Sequence, residues 1–102
     1  MNLKYRPAAI TDIRDSCAYI QGHLKNPSAA KNLKAKILQG ASLLKENPYM
    51  GTPLDSKYEG LETNLRFLIV SKHLIFYEVH EDMVEIIRIL DGRTDYLSNL
   101  LE

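Results

Sequence analysis

The sequence predicts an α+β domain: an N-terminal strand, a two-helix antiparallel hairpin packed on one face of an antiparallel β-sheet, and a short C-terminal helix. Three observations predict it. In the first half, apolar residues recur three and four apart, the period of helices with one buried stripe. After Gly60 the chain turns to runs of β-branched, aromatic and aliphatic residues, which suit strands. Only Ser71-Lys72-His73 and His80-Glu81-Asp82 separate those runs, too little chain for a crossover, so neighbours must be antiparallel.

Taken in order, Leu3 to Tyr5 is short and extended, and Pro7 fits a first helical turn, where its missing N–H costs nothing. Ile10, Ile13, Cys17, Ile20 and Leu24 form the expected buried stripe of the first helix, with Asp12, Arg14, Asp15 and Gln21 opposite. Asn26 is a good N-cap for a second helix, with Pro27 at its first position. That helix runs from about Pro27 to Glu46 on a stripe of Ala30, Leu33, Ile37, Ala41 and Leu44, and Asn47-Pro48 ends it. Tyr49 to Gly60 is rich in turn formers and is expected as a loop. Strands follow at Leu65–Val70, Leu74–Val79 and Met83–Leu90. The middle one is apolar on both faces apart from the Tyr77 hydroxyl, so it should be buried on both sides. Asp95 to Leu101 closes the chain as a short helix.

The 102 residues suit one domain, residues 1–102, with no linker and no internal repeat. Hydrophobic residues are 45% and charged residues 25%, which excludes disordered and fibrous classes. One cysteine, Cys17, excludes a disulfide framework and a cysteine metal cluster. No continuous apolar run reaches signal-peptide or membrane-span length, so a cytoplasmic protein without membrane contact is expected. The net charge is zero but lopsided: residues 1–50 carry eight Lys or Arg and three acids, residues 51–102 five and ten. A neutral total argues against strong non-specific nucleic-acid binding.

Chemistry is harder to find. There is no phosphate-cradling glycine loop, no nucleophile elbow and no His-Glu-x-x-His, and no metal or cofactor is expected. Cys17 lies on a buried stripe, where a thiol is inert. His23 ends a helix and His80 sits in an acidic turn, both expected to be solvated; His73 is a candidate acid or base without an evident carboxylate partner. Arg66 and Arg88 stand inside apolar strands, where a charge is costly unless paired or solvated. Either each pairs with an acid such as Glu62, Glu78 or Glu85, or both project from a polar, helix-free sheet face as an anion- or protein-binding patch. Tyr77 and Tyr96 could stack on a base, with Tyr77 the better core residue.

The order of motifs resembles the RelE/ParE superfamily of toxins. Tyr5-Arg6-Pro7-Ala8 with Asp12 and Tyr19-Ile20 is similar to the family's first strand and helix, and Asn26-Pro27 with Ala29-Ala30 to the start of its second helix. Asn47-Pro48-Tyr49-Met50-Gly51-Thr52-Pro53-Leu54 resembles its Pro-x-x-Gly-x-Pro loop. Arg66-Phe67, the run from Leu74 to Val79, and the run from Ile87 to Tyr96 resemble the strands and tail of the ParE-like branch.

The resemblance implies the toxin of a type II toxin–antitoxin pair, neutralised by an antitoxin that folds as it wraps the toxin. ParE-like members bind DNA gyrase; RelE-like members cut messenger RNA on the ribosome. Leu74 and Thr94 stand where the cleavers place arginines, and the stretch from Asn64 to Leu68 holds one cation where they are lysine-rich. The ParE-like reading is therefore favoured, with Arg66, Arg88, Arg93 and Tyr96 as target-binding residues and no catalytic residue expected. Under the nuclease alternative, Arg66 and Arg88 would bind phosphate and His73 would be acid or base. A third reading is a toxin fold that has lost toxicity. Lys31, Lys34 and Lys36 of the second helix are the expected contacts for an acidic antitoxin segment.

Overall fold

Proline punctuates the helical half as expected. In a computed structural model that describes residues 1–100, strand β1 (Asn2–Tyr5) leads through Arg6 into helix α1 (Pro7–Gly22), with Pro7 in its first turn. Helix α2 (Pro27–Leu43) is capped by Asn26, whose side chain accepts the Ala29 N–H at 3.1 Å, freeing one otherwise orphaned donor from its penalty. Its α-helical part ends short of Glu46 because Leu44, Lys45 and Glu46 donate to carbonyls three residues back, a tightened last turn. The stripe of α1 is shifted from the expected one. Ala9 and Ile13 are buried with Cys17 and Ile20 packed beside them, whereas Ile10 faces a groove open to solvent and Leu24 lies beyond the helix end; both are exposed.

The rest of the chain is β2 (Thr52–Pro53), a 3-10 turn (Leu54–Ser56), β3 (Arg66–Val70), β4 (His73–Val79), β5 (Met83–Asp91) and α3 (Tyr96–Leu100). Leu101, the expected last residue of α3, lies outside the described residues. The strands form one sheet in the order β1-β5-β4-β3-β2, antiparallel except where β1 runs parallel to β5. Central β4 is buried from His73 to Tyr77, as its two apolar faces require. The β3–β4 turn places Ser71 and Lys72 at φ of 49° and 65°, the left-handed conformation that a two-residue hairpin loop demands.

One core lies between the sheet and the two long helices, built on Ile37, Ile75, Tyr77, Val84, Ile86 and Ile89. Ile86 and Ile89 share that face despite their odd spacing because the β4–β5 register slips between Phe76 and Tyr77, inserting Ile87 as a bulge. The opposite face is not the polar surface expected from the sequence. Leu54, Phe67, Leu74, Phe76, Leu90 and Tyr96 form a second buried cluster under the segment 54–65 and α3. Tyr58, Leu61, Leu65, Leu97 and Leu100 supply its lid. A loop and a five-residue helix thus cover what would otherwise be an exposed apolar sheet face.

Candidate functional site

The Pro-x-x-Gly-x-Pro loop explains where Arg66 goes. Gly51 is buried and donates its N–H to the Tyr77 hydroxyl at 3.0 Å. A Cβ there would stand 2.4 Å from that oxygen and 2.7 Å from the Phe67 carbonyl, so only glycine permits the approach. The loop's carbonyls then turn toward the start of β3. Arg66 Nη2 donates to the Tyr49 carbonyl at 3.1 Å and the Gly51 carbonyl at 2.8 Å, while the guanidinium lies 5.2 Å from the Tyr49 ring. Its buried Nε has no partner, and no carboxylate pairs with it among the described residues. Exposed Tyr49 and Met50 flank it. Among the described residues, Arg66 is therefore a half-buried cation whose charge is answered by carbonyl dipoles and a ring face.

Arg88 meets a different fate. Its Nε and Nη2 form a two-pronged pair with Asp12 at 2.7 and 2.9 Å, and Nη1 donates to the Asn99 carbonyl at 3.3 Å. Asp12 also accepts the Ile89 N–H at 2.9 Å, taking the place of a strand partner where β1 has ended. Of the partners weighed from the sequence, none is used: Asp12, expected on the solvent side of α1, is half-buried and bound to Arg88. Arg66 and Arg88 consequently do not share a patch. They flank β4, opposite Tyr77 and Phe76, residues of the two different cores, and are roughly 10 Å apart from the strand spacing alone.

His73 sits at the far end of β4, four residues from Tyr77, roughly 13 Å along the strand. It is only 5% exposed, with Nδ1 2.9 Å from the Ser71 carbonyl, and the carboxylate that the sequence does not reveal is Asp91, its partner across the ladder. Asp91 is held by Arg93 through two side-chain contacts at 2.9 and 2.7 Å, and the Arg93 N–H also donates to it. These hydrogen bonds bring the Asp91 carboxyl down to about 2, against the opposing effect of partial burial. Arg93 itself remains largely exposed, on a cleft shared with Asp15, Tyr19 and His73.

Tyr96 is 9% exposed and its ring packs 5.7 Å from Phe76, so it offers no face for stacking on a base. Tyr77, fully buried, offers none either. The Tyr96 hydroxyl instead accepts from Lys57 at 3.0 Å and shares a short hydrogen bond with the Tyr58 hydroxyl. The Lys57 ammonium also lies 5.3 to 5.6 Å from the rings of Tyr58, Phe67 and Tyr96. Burial alone would raise the Tyr96 hydroxyl, yet the hydrogen bond from Lys57 brings it below its ordinary value. Sequence reasoning missed this cluster because Lys57 and Tyr58 fall in an irregular segment with no period to follow.

On α2, Lys31, Lys34 and Lys36 are all exposed. Lys31 and Lys34 are one turn apart, and Lys34 borders a groove between α1 and α2 floored by Tyr5, Ile13 and Cys17 and edged by Ile10 and Leu38. The metal-ligating side chains that converge among the described residues, Glu78, His80 and Glu85, lie at the β4–β5 hairpin, apart from these residues.

The sequence profile of the ParE toxin of the type II toxin–antitoxin system parDE matches residues 3–96. The chain belongs to the ParE toxin family. ParE membership accounts for the strand, helix pair and sheet in their observed order, and an antitoxin partner follows from the family. A chain from the chromosomal ParDE TA system of P. aeruginosa is similar in fold, with a TM-score of 0.73 over 89% of this chain and 95% of that one, at 19% identity. No curated protein matches the chain. Among the described residues, no helix of this ParE-family chain is long and apolar enough to cross a membrane.

Proposed function

We propose that this ParE-family chain acts in the cytoplasm, as one domain over residues 1–102, to arrest growth by binding DNA gyrase, and that a cognate antitoxin neutralises it. The observation that carries this reading is the dispersal of Arg66, His73 and Arg88. A nuclease would gather them around one phosphate; here one faces the 49–51 loop, one is buried at a hairpin turn, and one is bound to Asp12. Dispersed cations favour recognition of a surface over attack on one bond.

Of Arg66, Arg88, Arg93 and Tyr96, we assign direct target contact to Arg66 and Arg93. Arg66 holds a charge without a carboxylate beside exposed Tyr49 and Met50, the composition of an interface anchor. Arg88 and Tyr96 act from behind, fixing α1 and α3 against the sheet. Lys31, Lys34 and Lys36 would meet an acidic antitoxin segment, with affinity that falls as salt rises.

A supercoiling assay with purified gyrase tests the proposal. Arg66→Ala should weaken inhibition roughly tenfold, the scale of one interface anchor, while His73→Gln leaves it unchanged. Wild-type chain that leaves gyrase unaffected but cleaves messenger RNA in a translating extract would overturn it.

A further inference from the structure

The tip of the β4–β5 hairpin carries a cluster that none of these roles uses. Residues two apart in an extended chain share a face, which brings Glu78 and His80 together. The register then sets Glu85 directly across from Glu78, and the His80 N–H closes the hairpin on the Met83 carbonyl at 2.8 Å. One ligating atom from each of the three side chains lies within 4.8 Å of the other two. His80 Nε2 is 3.0 Å from one oxygen of Glu85, and Arg6 Nε donates to the other oxygen at 3.0 Å.

Two carboxylates opposite each other on one face repel, and Arg6 forms its ion pair with Glu85, attracting Glu78 only from a longer distance. Glu78, half-buried, has no ion pair or hydrogen bond among the described residues. Among the described residues, the two facing carboxylates thus share one directly paired arginine. Lys4, aligned with Glu85 on β1, is exposed and forms no ion pair or hydrogen bond with either acid.

We propose that Glu78, His80 and Glu85 form a binding site for a divalent transition-metal cation of the zinc type. The imidazole Nε2 and one oxygen from each carboxylate are the protein ligands, with water completing a tetrahedral shell. Zinc bonds nitrogen and oxygen at about 2.0 to 2.2 Å, so tetrahedral ligand atoms stand roughly 3.4 Å apart. Ligand atoms within 4.8 Å of one another need to close by at most about 1.4 Å, a shift on the scale of side-chain rotation. An imidazole beside two carboxylates suits zinc better than magnesium or calcium, which prefer oxygen throughout. The ion neutralises the two acids and leaves Arg6 on its own Glu85 oxygen, where it orients that ligand from outside the shell.

The test titrates zinc chloride into the full chain without an affinity tag, by calorimetry and by thermal melting, with cobalt(II) absorption as a report on imidazole coordination. The expected result is one ion per chain, a rise in Tm with zinc, and a cobalt band. His80→Ala and Glu78→Gln, both outside the core, should keep the circular dichroism spectrum, lose the Tm rise and weaken affinity by at least about tenfold. His23→Ala should change nothing. Absence of uptake, or uptake that survives both His80→Ala and Glu78→Gln, would overturn the assignment.

Discussion

The two faces of the sheet are covered by different kinds of chain. One is roofed by α1 and α2, whose apolar residues recur with a helical period. The other is roofed by the irregular segment 54–65 and a helix of five residues. Both roofs contribute fully buried side chains, Ile37 from the first and Leu54 from the second. Burial does not require periodicity, but legibility does. The difference decided which elements were legible in the sequence, and it is why a polar sheet face, one of two alternatives for Arg66 and Arg88, gives way to a covered one.

The sharpest way to break the comparison is to remove a side chain from each side. Ile37→Ala and Leu54→Ala should each cost about 3 kcal/mol, the usual loss for an apolar side chain in a packed core. Denaturant unfolding would measure both. A loss below about 1 kcal/mol for Leu54→Ala alone would mean that the irregular roof is loosely held, and that the second cluster is not a core.

Next in size is the brace between the two layers. Asp12→Ala strands the half-buried Arg88 guanidinium and removes the acceptor for the Ile89 N–H. The expected cost is about 2 kcal/mol, because exposure of the pair softens the penalty of breaking a buried one. For a chain of this length that corresponds to a fall in Tm of roughly 10 °C. A Tm within two or three degrees of wild type, on the order of 0.5 kcal/mol, would show that water replaces Asp12 easily.

Tyr77→Phe probes the loop that serves Arg66. Losing the buried hydroxyl leaves the Gly51 N–H without its acceptor, at a cost of about 1 to 2 kcal/mol. It should also weaken gyrase inhibition if the loop's carbonyls hold Arg66 in place. Full inhibition by a destabilised Tyr77→Phe chain would detach Arg66 from the loop.

The smallest effect is a pH dependence at the exposed end of the sheet. Asp91 is held near 2 in the folded chain, below its ordinary 3.8. A group whose folded value is depressed contributes stability above its unfolded value and loses it as pH falls through the folded one. The contribution should therefore be complete above about pH 4 and fade toward pH 2. Asp91→Asn should flatten that part of the stability profile, and an unchanged slope would assign the acid sensitivity to other carboxylates such as Glu85.

Much of the fold was legible. The Asn26-Pro27 cap, the two long helices and the three main strands follow from spacing and turn chemistry. The β2 strand was not, since two residues carry no period, and neither was the parallel pairing of β1 with β5, which local pattern does not encode. The site was less legible still. Arg66 and Arg88 occupy similar apolar strands in sequence, yet among the described residues one meets only carbonyls and a ring while the other holds Asp12, 76 residues away. A single bulge at Ile87 separates their faces, and no composition at that position announces it. Family resemblance filled part of the gap by naming the toxin class, while the fate of each arginine came only from the folded contacts.

The most direct test of the central claim, that this chain binds a target rather than cutting RNA, is a pulse-label experiment in bacteria expressing it without an antitoxin. Thymidine and methionine incorporation would be followed together from the moment of induction. Thymidine incorporation should fall first, as gyrase inhibition stalls replication. Methionine incorporation falling first, and recovering in His73→Gln, would contradict it.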